Sequence, residues 1–395
     1  MAIRHVRELP LAGRRIFVRV DFNVPLRDGV IQDDTRIRAA LPTLREVLDG
    51  GGSLVLASHL GRPKGGPDPA YSLGPVAQRL GELLRQSVPL APGVVGAEVA
   101  ALAAALAEGH VLLLENLRFH PGETKNDPEL SRRLADLADL YVNDAFGSCH
   151  RAHASTVGMA AHFEPGEKAA GNLLLSEVEA FRRVLDTPQR PFAAILGGAK
   201  VSDKIGVVRN LLGKIDRLLV GGGMAYTFLA AQGVPTGDSL LEADKVDLAR
   251  ELLAEAGRQG KELFLPQDHV LGKDLSEGTP IQVTPGPEVP PGWKALDIGP
   301  KTREAFVRAL ADARTVVWNG PMGVFEVPAF AEGTFAVARA VAACPGFTVV
   351  GGGDSVSAVQ RSGVAQEIGH ISTGGGASLE LLEGRVLPGV AALEE

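Results

Sequence analysis

Short apolar runs, each bounded by glycine, proline or polar residues, recur along nearly the whole chain. The clearest are RIFVRV (15–20), SLVLAS (53–58), HVLLLE (110–115), DLYVND (139–144), FAAIL (192–196), DRLLV (216–220), TVVWN (315–319) and FTVV (347–350). Between them, 36–49, 72–85, 127–138, 203–213, 243–258 and 301–312 carry helical patterns. Strands that are apolar throughout and alternate with helices predict parallel sheets covered on both faces. EPGEK (164–168) breaks the alternation, and GNLLLSEVEAFRRVLDTPQRP (171–191) then predicts a long helix closed by Pro188 and Pro191. A domain boundary is placed there, with the helix as a lever between two α/β units.

The second half repeats one pattern four times: an apolar strand that ends in glycines and opens a polar helix start. It reads FAAIL-GGAKVSDK, RLLV-GGG-MAYTF, FTVV-GGG-DSVSA and HIST-GGG-ASLEL. Amides at helix N-termini cradle anions, and glycine lets a phosphate come close. The first half has no such triple glycine; there Arg36, His59, Arg62, Arg118, His150 and Arg151 sit at or near strand ends. One half suits a nucleotide and the other a small anion, which points to phosphoryl transfer.

Bulk properties narrow this little but in the same direction. The length of 395 residues allows two to three domains, and 45% hydrophobic with 22% charged residues is ordinary for a globular chain. A formal net charge of −7 argues against a nucleic-acid binder. Cys149 and Cys344 are far apart with no CxxC, so neither a disulfide framework nor a cysteine zinc site is expected. The first residues, MAIRHVRELPLAGRR, have no apolar leader core, and no segment approaches 18 uninterrupted apolar residues. The expectation is a cytoplasmic protein with no membrane partner.

Individually, most motifs have an ordinary reading as well. Asp21 and Asn23 in RVDFNVPLRDG can bind substrate hydroxyls or simply cap a turn. His59 and Arg62 share one loop in ASHLGRPKGG, and Arg118 and Arg151 follow two further strands. Arginines from separate strand ends of one sheet form a convergent basic patch, and its forked guanidinium groups suit phosphate or carboxylate. Cys149, His150 and His153 lack a fourth ligand in sequence, so a metal there is not expected. Lys200 and Lys204 are placed on one face of a starting helix, where lysine is unfavourable to the dipole unless an anion is bound. GxxxxGK[ST] is absent, which disfavours a P-loop, and GxGxxG with a following acid is absent, which disfavours a nicotinamide-linked dehydrogenase. A two-domain solute-binding protein would explain a basic cleft but not Lys200, Lys204 and Asp354. Asp354 in GGGDS is a hard oxygen ligand suited to Mg²⁺, and Glu326 is a candidate acceptor for ribose hydroxyls.

RVDFNVP, SHLGRP, ENLRF, HRAHAST, GGAKVSDK, GGGMAYTF, VWNGPMGVFE, GGGDS and STGGGASLELLEG occur in one order, and with them the chain resembles the phosphoglycerate kinase family over essentially its full length. The resemblance implies two doubly wound, Rossmann-like parallel-sheet domains. The first is expected over 1–168, joined by a tail over 375–395, the second over 190–374, and the linking helix over 169–189. It implies Mg²⁺-dependent phosphoryl transfer between 1,3-bisphosphoglycerate and ADP, giving 3-phosphoglycerate and ATP, by a monomer with small-molecule substrates only.

Carried over, the resemblance puts Asp21, Phe22, Asn23, Arg36, His59, Leu60, Gly61, Arg62, Arg118, His150 and Arg151 on the phosphoglycerate. Lys204, Asn319, Pro321, Glu326, Gly352, Gly353, Asp354 and Ser355 fall on the nucleotide, with Asp354 also on the metal. Arg36, Lys200 and Gly375 become the catalytic set. Ala295 in GWKALD stands where some relatives have glycine near the adenine. The nucleophile in the ATP-consuming direction is a carboxylate already ionised at neutral pH. No general base is needed, and catalysis rests on positioning, charge stabilisation and exclusion of water.

Overall fold

The computed structural model describes residues 3–64, 66–276 and 278–394. The chain divides into two compact units, residues 1–178 with 386–395, and residues 179–385.

In the first unit the order is β1 (Arg15–Arg19), a small hairpin of β2 (Leu26–Arg27) and β3 (Val30–Ile31), α1 (Thr35–Asp49), β4 (Ser53–Ala57), α2 (Gly74–Leu84), α3 (Ala97–Ala104), β5 (Val111–Leu113), α4 (Pro128–Ala135), β6 (Leu140–Asn143), β7 (Lys168–Ala170) and α5 (Asn172–Leu185). The five-stranded sheet runs β5-β4-β1-β6-β7, parallel throughout. The hydrophobic strands are buried on both faces because helices cover both; SLVLA is buried at every position. One core cluster joins Ile16 and Val18 of β1 to Leu54 and Leu56 of β4 and to Ile37 and Leu44 of α1. Burying each such side chain contributes about 1.5–3 kcal/mol. α5 begins where Asp144, just past β6, accepts the Leu173 and Leu174 amides through Oδ1 at 2.9 and 3.1 Å. The boundary between the units falls inside α5.

The second unit contains β8 (Phe192–Leu196), α6 (Ile205–Leu212), β9 (Arg217–Val220), α7 (Met224–Ala231), α8 (Val246–Arg258), β10 (Glu262–Phe264), β11 (His269–Gly272), β12 (Gln282–Val283), β13 (Lys294–Ile298), α9 (Pro300–Leu310), β14 (Thr315–Asn319), α10 (Glu332–Ala342), β15 (Phe347–Gly351), α11 (Gly353–Ser362), β16 (His370–Ile371) and α12 (Gly376–Leu382). Its parallel sheet runs β10-β9-β8-β14-β15-β16. Trp318 of β14 is fully buried and donates its indole N–H to the Gly320 carbonyl at 2.7 Å. A separate antiparallel sheet, β12-β11-β13, was not among the strands read from sequence. β12 is exposed and β13 partly so, and β11, though buried, is four residues long and carries His269 and Gly272, so none shows the unbroken apolar signature of the parallel strands.

The C-terminal segment divides differently from the expected 375–395. α12 packs on α6 in the second unit, with Leu382 and Ala377 buried and Asn210 Nδ2 donating to the Leu382 carbonyl at 2.8 Å. Only the stretch from Val386, with α13 (Pro388–Ala391), belongs to the first unit, where the Gly389 amide donates to the Cys149 carbonyl at 2.9 Å. Among the described residues no helix is long and apolar enough to cross a membrane.

Candidate active site

Each parallel sheet reverses its winding at a central strand, β1 in the first unit and β8 in the second. Open α/β sheets take ligands outside the carboxyl ends of their strands at such points, and the candidate residues lie there.

In the first unit, Asp21 and Asn23 follow β1, His59 and Arg62 follow β4, Arg118 follows β5, and His150 and Arg151 follow β6. Arg62, Arg118 and Arg151 line one cavity of about 510 Å³ together with Phe119, His120 and Thr124. None of the three has a carboxylate partner among the described residues. Burial, and then the positive charges of Arg19, Arg62 and Arg151, depress Arg118 from the usual arginine range. Cations crowded without counter-ions form a site that an anion would stabilise. Arg36 comes from the first turn of α1 rather than a strand end, and its guanidinium is ion-paired with Asp21. Burial opposes ionisation of Asp21, but the Arg36 and Arg19 guanidinium groups and the Asn23 amide outweigh it and hold the carboxyl below its ordinary range. Asn23 Oδ1 accepts the Gly61 amide at 2.8 Å, and Arg118 donates to the Gly61 carbonyl.

Behind this cavity lies a buried polar network that the sequence reading missed. Arg19, the last residue of β1, is 1% exposed. Its Nε donates to Ser155 Oγ at 2.9 Å, and Ser155 Oγ in turn donates to Glu123 Oε1 at 2.6 Å. The buried guanidinium is thus answered through a hydroxyl by a buried carboxylate, which limits the cost of burying both. Arg19 Nη2 meets His59 Nδ1 at 3.2 Å. A guanidinium only donates, so Nδ1 accepts and the ring proton sits on Nε2. Burial, resisted by Asp21 and reinforced by Arg19, Arg118 and Arg36, lowers His59 to about 3. His59 is therefore a neutral N–H donor. The clue was available, since Arg19 is a charged residue inside an apolar strand.

Other expected contacts are placed differently. Phe22 and Leu60 are buried core side chains, so only their backbones can face a ligand. His150 Nε2 accepts from Arg151 Nε at 3.1 Å, which makes it a support for that arginine. His153 is buried 3.7 Å from Glu123, and no group of three potential metal ligands exists among the described residues.

In the second unit a pocket of about 460 Å³ opens beside β8, β9, β13 and β14. Pro321, Glu326 and Asp354 line it, and so does Ala295. Ala199, Gly222, Gly223 and Tyr226 of its wall come from the first two glycine-ended repeats, whereas Leu240, Leu275 and Leu296 carry no motif that marks a site and were not foreseen. Gly222 (φ +64°) is required here, since a Cβ would lie 2.6 Å from the Gly198 nitrogen.

The four glycine-ended strands are not equivalent. Lys200 and Lys204 do not share a helix face, because α6 starts only at Ile205 and Lys204 caps it. The preceding amides are already committed: Gly197 to the Asn319 carbonyl, Gly198 to that of Pro321, and Lys204 to that of Val201. In the second repeat Gly222 donates to Met322 and Met224 to Gly198. The third repeat differs. Gly352 (φ +92°) turns the chain into α11, and the Gly353, Asp354 and Ser355 amides have no acceptor among the described residues. In the fourth, Gly374 donates to Ser372 Oγ, whereas Gly375 is exposed with φ +52°.

Two side chains expected on the nucleotide turn inward. Asn319 receives Lys204 Nζ and donates to the Gly351 carbonyl at 3.0 Å, and Ser355 Oγ accepts the Gly320 amide at 2.6 Å. Lys204 is depressed by burial, with Asp203, Asp354 and Glu383 opposing, whereas Lys200 is exposed. Asp354 lines the pocket beside the open α11 amides and has no ion-pair partner among the described residues. A carboxylate beside a turn with open amides fits Mg²⁺, which is held by one or two carboxylates plus substrate phosphates and water.

Comparison with known proteins agrees with this geometry. A family model described as phosphoglycerate kinase matches residues 6–385. The phosphoglycerate kinase of Moorella thermoacetica is 59% identical over 395 residues, covering 100% of both chains, and that of Thermus thermophilus is 58% identical, covering 99% of this chain and all of its own. The solved phosphoglycerate kinase of Coxiella burnetii matches with a TM-score of 0.92 at 41% identity, over 99% of each chain. That of Pyrococcus horikoshii matches at 0.85 and 34% identity, over 99% of this chain and 98% of its own. With two doubly wound units, one carrying a cluster of unneutralised arginines and the other a glycine-walled pocket, the chain belongs to the phosphoglycerate kinase family.

Proposed function

We propose that the cationic cavity of the first unit holds phosphoglycerate and that the glycine-walled pocket of the second holds the nucleotide. The chain is a phosphotransferase that moves a phosphoryl group reversibly between 1,3-bisphosphoglycerate and ADP, giving 3-phosphoglycerate and ATP. The observation that carries the assignment of sites is the trio Arg62, Arg118 and Arg151 around one cavity without carboxylate partners. Asp21 and Asn23 accept from substrate hydroxyls, and neutral His59 donates through Nε2. In the second unit the Gly353–Ser355 amides and Lys204 take the nucleotide phosphates, and Glu326 takes the ribose.

The acceptor carboxylate needs no base, and the neutral His59 is not asked to be one. Catalysis then falls to cations that follow the charge of the moving phosphoryl group. Lys200, Arg36 and the turn at Gly375 fill that role. Asp354 holds Mg²⁺, which neutralises phosphate charge when bound. A monomer in the cytoplasm completes the reading.

Titration calorimetry tests the division of labour. Arg118→Ala with Arg151→Ala should abolish 3-phosphoglycerate binding and leave ADP binding intact. Loss of ADP binding instead, or of neither, would sink the assignment. A hydroxylamine trap with Mg-ATP and 3-phosphoglycerate checks turnover, since the acyl phosphate is captured as a hydroxamate.

A further inference from the structure

The turn that carries both lysines of the second site is held by a carboxylate from elsewhere in the chain. Glu242 lies between the single 3₁₀ turn Ala243–Lys245 and the pocket-lining Leu240. Its Oε2 accepts the Ser202 amide at 3.0 Å and its Oε1 accepts the Ser202 hydroxyl at 2.6 Å. The nearby Val201 amide also favours the ionised carboxylate. Burial works to raise Glu242, but the Ser202 hydroxyl and the two amides outweigh it, so the carboxyl sits below its ordinary range.

Two donors of this turn, the Ser202 amide and hydroxyl, therefore point at Glu242 and not at a nucleotide phosphate. Lys200 precedes Ser202 by two residues and Lys204 follows it by two. The Lys204 amide closes the turn on the Val201 carbonyl at 2.9 Å, and the Val201 side chain is fully buried. Neither lysine forms an ion pair with Glu242 among the described residues, so the carboxylate fixes the backbone without neutralising the amines. Glu242 is itself anchored: its amide donates to Thr227 Oγ1 of α7 at 3.3 Å, and Thr227 is 1% exposed. Two residues upstream, Leu240 forms part of the pocket wall, and its Cδ2 lies 2.9 Å from where a Cβ on Gly223 would stand.

We infer that Glu242, acting through Ser202, is a positioning residue that aims Lys200 and Lys204 at the phosphates of the nucleotide. This rests on the reading of those lysines as phosphate contacts. An exposed lysine on a glycine-rich turn has many orientations, and fixing its backbone removes part of the entropy lost on reaching the transition state. A misplacement near 1 Å costs on the order of 10²-fold in rate.

The test is a double-mutant cycle at saturating substrates with Glu242→Ala, Lys200→Ala and the pair. Glu242→Ala should lower kcat by roughly 10²-fold, with the KM for 3-phosphoglycerate unchanged and the unfolding midpoint kept within a few degrees. Glu242→Gln, which keeps one acceptor oxygen, should restore part of the loss, and Ser202→Ala should fall between. In the Lys200→Ala background, removing Glu242 should cost far less than it does alone, because the residue it serves is gone. A kcat loss that persists in full in that background, or a loss that only tracks unfolding, overturns the inference. Near-normal kcat for Glu242→Ala, with Lys200→Ala crippled, overturns it while leaving the reading of Lys200 intact. Near-normal kcat for Lys200→Ala overturns that reading first, and the inference with it.

Discussion

The two units use one kind of sheet to make two kinds of pocket. In the first, the site is made of side chains: Arg62, Arg118 and Arg151 rise from separate strand ends into one cavity. Their charges repel, and Arg19 and Glu123 beneath them are locked in a buried network. In the second, the pocket wall is mostly glycine and small or apolar side chains, with charge limited to Asp238, Lys294, Glu326 and Asp354, while Lys200 and Lys204 lie on the turn outside that lining. Side-chain sites are specific for a small rigid anion because each guanidinium fork has its own direction. Backbone sites tolerate a larger ligand, because amides give shallow, shapeable contacts along a strand end.

The largest effect should come from the mobile charge of the second site. Lys200→Ala should lower kcat by 10²–10³-fold, about 2.7–4 kcal/mol by analogy with loss of one oxyanion donor, with little change in either KM. Arg36→Ala should do the same from the first unit, and an unchanged kcat would remove it from the catalytic set. Next comes Arg118→Ala, which should raise the KM for 3-phosphoglycerate about 10–100-fold, the value of a charged hydrogen bond of about 1.5–3 kcal/mol. Added salt should weaken this wild-type affinity more than that for ADP in the absence of Mg²⁺, since only the first site is built of exposed like charges. Gly352→Ala sharpens the contrast from the other side. Its φ of +92° penalises any side chain, and a Cβ would lie 3.0 Å from Asn319 Nδ2. About 1–2 kcal/mol of strain should raise the nucleotide KM and leave that of 3-phosphoglycerate alone.

The same contrast explains what was legible in the sequence. The parallel strands were visible because burial on two faces makes them apolar throughout, as FAAIL and TVVWN show. Arg62, Arg118 and Arg151 were visible because a charge after an apolar strand stands out. The apolar wall of the second unit's pocket was not: Leu240, Leu275 and Leu296 look like any core or surface residue until the fold assembles them. The idea that every glycine-ended strand offers free amides failed at the first two repeats, where other loops claim those donors. Local sequence shows which amides a turn exposes, whereas long-range partners such as Pro321 and Met322 decide which stay free. Arg19 is the opposite lesson, since its oddity was in plain view and only its partners were hidden.

Acid should separate the units by stability as well. In the first, burial lowers His59 to about 3 and His153 to about 4, against an ordinary 6.5. Between pH 6.5 and 4 the unfolded chain takes up these protons and the folded unit does not, so acidification costs stability. Asp144, pushed up by burial to about 7 and left with Oδ2 unbonded, acts in reverse: folded, it is protonated below that pH and favours the fold as pH falls toward 3.8. Two groups against one leave a net loss of about 1.4 kcal/mol per pH unit. In the second unit Asp297, also raised to about 7 by burial, opposes His269, which burial lowers, so the terms nearly cancel. Both tryptophans, Trp293 and Trp318, belong to the second unit, so their fluorescence reports its unfolding alone. Urea midpoints from that signal should stay nearly level from pH 6 to 5, while amide protection factors in β1 and β4, corrected for the slower intrinsic exchange in acid, fall about tenfold. Equal sensitivity of the two probes would mean that the charges buried beneath the arginine cavity set no separate limit on its unit.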